Sequence, residues 1–102
     1  MENSDVLFDK NESLYQIHHT FEFVREQTYI FIDVTECIVG KDKGTFIAIP
    51  KLTISETPKK EYIGCGNSEE EALNDFLKKS KGIPFDQIFD HKYIEGLRRY
   101  WI

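Results

Sequence analysis

Cysteine is scarce in this chain: only Cys37 and Cys65 occur among 102 residues. Neither sits in a short paired motif, which argues against a disulfide framework and against a zinc knuckle. The first residues lack a basic stretch followed by an apolar one, and no apolar run approaches bilayer-spanning length. These absences predict a cytoplasmic protein with both thiols free and no membrane contact. Positive charge is also short: 13 bases stand against 18 acids, a formal net charge of −5. That balance disfavours direct nucleic-acid binding and attraction to anionic lipid. Internal repeats and low-complexity tracts are absent as well.

What the chain does have is aromatic mass. Eight Phe, five Tyr and one Trp make up 14% of the residues, each able to bury a large area. A chain of this length forms one domain with a single core and no deep interlobe cleft. The polar start "MENSDVLFDKNES" reads as a lead-in over residues 1–12, ahead of a single domain over 13–102.

Alternation from Leu14 to Val24 predicts a half-buried strand, with Tyr15, Ile17, His19, Phe21 and Phe23 on one face. Residues 28–39 read as a second strand, apolar on both sides: Ile30, Ile32, Val34 and Ile38 form one stripe, Tyr29 and Phe31 the other. Gly40 and Gly44 bracket a hairpin loop. In the third strand, "TFIAIPKLTI", Pro50 removes a ladder donor and predicts an edge or a bulge. After a loop over 55–60, Glu61 to Ile63 is expected to form a short fourth strand.

Ser68 and Glu71 have capping-box spacing and open a helix over 68–81, each side chain placed to bind the other residue's amide. Glu69, Glu70 and Glu71 at its start and Lys78, Lys79 and Lys81 at its end complement the helix dipole. Gly82 closes it, and Pro84 forbids continuation and starts a helical turn at "PFDQIF". The tail "HKYIEGLRRYWI" fits a helix or a final strand. The fold class expected is α+β: an antiparallel meander of about four strands, one main helix on a face, and a short helical or strand C-terminal tail. Its core would comprise Ile30, Ile32, Val34, Phe46, Leu52, Ile63, Leu73, Phe76 and Leu77.

Gly64-Cys65-Gly66 invites a chemical interpretation and does not sustain one. Phosphate would meet three glutamates in the first helical turn, Glu69 stands where a dinucleotide motif needs its third glycine, and no Lys-Ser or Lys-Thr pair follows. A nucleophilic Cys65 would face the same glutamates, and no spacing ties it to His18, His19 or His91. Strand alternation sends His18 and His19 to opposite faces, so they are not expected to share a metal ion. Asp33 and Glu36 have opposite parity and form no acid/base pair. The motif reads as a strand-to-helix turn, with glycine for unusual dihedrals and Cys65 half-buried.

A strand, then Gly-x-Gly-x-Ser, then "EEEAL" resembles the strand–turn–helix of HicB-like antitoxin domains, which bind and block a small ribonuclease. The likeness spans about a tenth of the chain and carries no functional residue across. The three strands before it and the aromatic tail are not part of that pattern.

The function expected is that of a small, acidic, non-enzymatic interaction protein that binds and blocks a partner macromolecule. This is the inhibitor or anti-defence type carried by phages and mobile elements. A protein partner and a homodimer or higher oligomer are expected, with no cofactor and no metal. The candidate interface residues are Tyr29, Phe31, Arg98, Arg99, Tyr100 and Trp101, because exposed aromatics and arginines dominate interfaces. The alternative is a small-ligand-binding protein or minor enzyme with a pocket near His19, Asp33 and Cys65.

Overall fold

The computed structural model describes residues 11–52 and 57–89. Four antiparallel strands lie side by side in chain order: β1 (Leu14–Arg25), β2 (Thr28–Val39), β3 (Phe46–Lys51) and β4 (Gly64–Gly66). One helix, α1 (Glu69–Ser80), packs on one face, over β3 and β4. The expected α+β meander with a single main helix is what forms. No helix among the described residues is long and apolar enough to cross a membrane.

Local chemistry sets the turns. β1 and β2 are joined by Glu26 and Gln27, with Glu26 in the left-handed region at φ +56°. Gly40 and Gly44, at φ +126° and +91°, shape the β2–β3 loop. Ser68 is the N-cap of α1, its Oγ accepting the Glu71 N–H at 3.1 Å. The return bond goes one residue further back than the capping-box spacing predicts: Glu71 Oε1 accepts from Asn67 N–H at 3.3 Å. Gly82 follows the helix at φ +76°.

The fourth strand is not at Glu61–Ile63. Lys60–Tyr62 forms a 3₁₀ turn, and the strand is Gly64–Gly66 itself. Neither glycine has a positive φ; close approach of the helix requires them instead. A Cβ on Gly64 would collide with the Ala72 carbonyl and lie 2.6 Å from the Phe76 amide nitrogen. One on Gly66 would lie 2.7 Å from the Ala72 amide nitrogen. These two bare positions let α1 lie directly on the strand backbone.

The core comprises Ile30, Ile32, Val34, Ala48, Ala72, Phe76, Phe85, Ile88 and Phe89. Removing the fully buried Phe76 ring would cost about 3–5 kcal/mol. Phe46, Leu52 and Leu73 are partly buried against the core, Ile63 is half-buried, and Leu77 is exposed rather than part of it. Residues 85–89 were not expected there. Pro84 does start a 3₁₀ turn at Phe85–Gln87. That turn sends Ile88 and Phe89 inward, held by the bond from Lys59 N–H to Ile88 O (2.8 Å) and a Pro58–Phe89 bridge. Pro50 is buried in β3 just past the stretch that β4 pairs, residues 46–48, so among the described residues the strand is locally an edge there.

A bulge at His18 decides which side chains share a face. Ile17 pairs with Thr35 and His19 with Val34, so one residue of β1 has no counterpart on β2. The odd-numbered stripe, unbroken in sequence, is thereby split. Tyr15 and Ile17 go to the face opposite α1, while His19, Phe21 and Phe23 go to the helix side.

Candidate functional site

The face opposite α1 carries the first group of candidates. Val24 pairs with Tyr29, and Glu22 with Phe31, on adjacent strands. Tyr29 packs edge-on against Phe31 with ring centroids 5.7 Å apart. Tyr29 is 54% exposed, Val24 58%, and Ile17, further along β1, 60%. The face closes toward Thr35 and Cys37, which are buried. Beside them, burial pushes the Tyr15 hydroxyl above its ordinary value, and the Cys37 thiol and Asp42 carboxylate push the same way.

Between the two apolar zones a polar rung crosses three strands. Thr20 Oγ1 donates to Asp33 Oδ1 at 2.7 Å, and Lys51 Nζ lies 2.8 Å from Asp33 Oδ2. Both carboxylate oxygens of Asp33 are therefore engaged. The arrangement is a cross-strand clasp that pins register.

On the helix side, the bulge brings both histidines to one face, against the prediction from strict alternation. His18 Nε2 lies 2.8 Å from Glu36 Oε1, with its ring 5.5 Å from that of Phe46. His19 Nδ1 lies 2.6 Å from Glu69 Oε1 on the first turn of α1, beside the Phe21 ring at 5.9 Å. Each histidine takes its own carboxylate. No group of three potential metal ligands converges among the described residues. Because α1 lies over β3 and β4, a groove of about 330 Å³ remains between it and β1, lined by His19, Phe21, Glu69, Glu70 and Leu73.

Cys65 lies on β4 with its side chain exposed, not half-buried. Its N–H donates to Asp75 Oδ2 at 2.8 Å, and Lys79 Nζ lies 2.8 Å from the same oxygen. Hydrogen bonding from Lys79, then from the Cys65 amide, holds the Asp75 carboxyl below its ordinary value. Lys79 Nζ also donates to Ile63 O at 3.0 Å.

The sequence candidates thus separate. Tyr29 and Phe31 meet on the face opposite α1. His19, Asp33 and Cys65 do not line one pocket: His19 faces the helix, Asp33 lies on the other side and is already engaged, and Cys65 is two strands away from it. Arg98, Arg99, Tyr100 and Trp101, like the expected C-terminal tail and most of the lead-in, fall outside the described residues. Val24 and Ile17 join the exposed apolar surface, and Glu69 and Glu70 the groove. The exposed apolar pair was legible as strand residues, but the groove depends on where the helix crosses the sheet.

No family model, curated protein or solved structure matches the chain. The HicB-like strand–turn–helix likeness therefore stays local, and its strand and turn are displaced: Gly64-Cys65-Gly66 is strand, and the turn is Asn67-Ser68.

Proposed function

We propose that this is a non-enzymatic interaction protein of the inhibitor type, which binds and blocks a partner protein through the sheet face opposite α1. The observation that carries the proposal is the exposure of Ile17, Val24 and Tyr29 on that one face. Large apolar side chains exposed on one sheet face, here in two zones flanking a polar rung, lose water favourably when a partner covers them, and aromatic residues anchor such contacts. The divergence of His19, Asp33 and Cys65 supports binding over a catalytic or small-ligand pocket. Self-association through the same face, with the twofold symmetry most small oligomers adopt, is part of the proposal.

Two measurements test it on wild type and an Ile17→Ser/Tyr29→Ser variant. Partner capture from the native host should succeed with wild type and fail with the variant, while melting temperatures stay alike. Light scattering should give a dimer mass for wild type and a monomer mass for the variant. Equal capture by both proteins removes the face from function, and a wild-type monomer removes the self-association.

A further inference from the structure

The sheet ends in two unlike edges. At the β4 edge, side chains of α1 bind the local backbone: Asp75 takes the Cys65 N–H and Lys79 the Ile63 carbonyl. Such cover blocks the addition of another strand. At the other end lies β1, twelve residues long, with a sheet neighbour on one side only among the described residues. Its edge is rimmed by negative charge. Glu22 lies on the strand, Glu26 in the turn, and Glu70 above the groove beside Glu69, which pairs with His19. The sole arginine of β1, Arg25, is committed elsewhere, donating to the carbonyls of Ser80, the last residue of α1, and of Ile83 just beyond it.

We infer that β1 docks an extended, positively charged segment of a partner protein, which adds as a fifth strand and seats a lysine or arginine side chain in the groove beside α1. The inference rests on the partner-binding function proposed above and names the chemistry of the partner. A row of strand backbone groups is matched by another extended backbone, and side chains at alternate positions then set specificity. The 330 Å³ groove fits a long basic side chain. The Phe21 ring, 40% exposed, offers its face to the cation, and the exposed Glu70 its carboxylate. The net charge of −5 steers a basic segment toward the surface. A second copy paired along the same edge would bring two acidic rims together.

Fluorescence anisotropy on the full chain tests this with three labelled peptides: alternating lysine and valine, the same with glutamate for lysine, and the lysine peptide N-methylated at alternate residues. The lysine peptide should bind with an affinity that falls as salt is added. The glutamate and N-methylated peptides should bind at least about tenfold more weakly, since one lacks the charge and the other the strand donors. Glu70→Lys should weaken the lysine peptide about tenfold, and Glu70→Gln less, both with unchanged melting temperature. Equal binding of all three peptides overturns the inference, as does a monomer that binds none of them. A wild-type dimer that binds none overturns it too. The Ile17→Ser/Tyr29→Ser variant should still bind the lysine peptide, so failure at the edge is distinguished from failure of the opposite face.

Discussion

The Asp75 carboxylate and the Cys65 amide join α1 to the β4 edge by one 2.8 Å hydrogen bond. Lys79 steadies the acceptor from one turn further along the helix. The bond does two things: it satisfies a strand donor that would otherwise face outward, and it fixes the helix above the glycines it rests on.

Its pH dependence follows from the lowered ionisation of Asp75. A carboxyl held below its ordinary value of 3.8 stabilises the fold above that pH, and the contribution disappears as pH falls through the lower, folded value. Asp75→Ala should therefore melt below wild type near neutral pH, by about 1 kcal/mol for the lost amide bond. Thermal melts at falling pH should show the two curves converging below about pH 3.8. A gap that persists undiminished in acid would mean that Asp75 acts through packing instead.

Gly64→Ala gives a sharper test of the helix–strand contact. The added methyl meets main-chain atoms of Ala72 and Phe76, which cannot swing aside as a side chain can. The expected cost is about 1–3 kcal/mol, read by urea denaturation. Gly44→Ala separates this from a conformational effect. Gly44 has a φ of +91° and open space around it, so its cost of about 1 kcal/mol is backbone strain alone. A Gly64→Ala protein as stable as wild type would dismiss the close-approach account.

These glycines show where the sequence was legible and where it was not. The helix was read from its own residues, because caps, end charges and an apolar stripe are local features. Sequence alone marks the glycines as turn formers, because it shows only the missing side chain, not the helix that would strike one. His18 shows the same limit. The odd-numbered apolar stripe runs unbroken through it, so nothing in the pattern marks the bulge that sends Ile17 and His19 to opposite faces. Phe85, Ile88 and Phe89 were missed as core because a short 3₁₀ turn has no extended periodicity; they reach the core through the bond of Lys59 to Ile88.

Thr35 offers a stabilising substitution. Its Oγ1 is buried with no hydrogen-bond partner among the described residues. Burying a hydroxyl without a partner costs about 1–3 kcal/mol by mutational measure. Thr35→Val keeps the β-branched shape and removes the polar atom, so it should raise stability by about 1 kcal/mol. For a domain of this size that corresponds to a melting temperature higher by roughly 4–8 °C. A lower melting temperature would show that the hydroxyl is satisfied in solution.

Arg25 should not be replaceable by lysine without loss. Its guanidinium donates to the Ile83 carbonyl and, at 3.2 Å, to the Ser80 carbonyl. It also lies 4.8 Å from the centre of the Phe85 ring and 5.2 Å from that of Phe23. One planar group thus ties the β1–β2 hairpin to the end of α1 and covers the core Phe85 and the partly buried Phe23 packed against it. Lysine keeps the charge but cannot present parallel donors to two carbonyls or lie flat on a ring. Arg25→Lys should lose about 1 kcal/mol and Arg25→Ala about 2–3 kcal/mol, since charge-assisted bonds are the stronger kind. Hydrogen exchange on the Arg25→Lys protein should localise the loss, with faster exchange at Ile83 and the last turn of α1 and unchanged rates at Ile30 and Ile32. A lysine variant with wild-type stability and protection would reduce the contact to simple charge at a helix end.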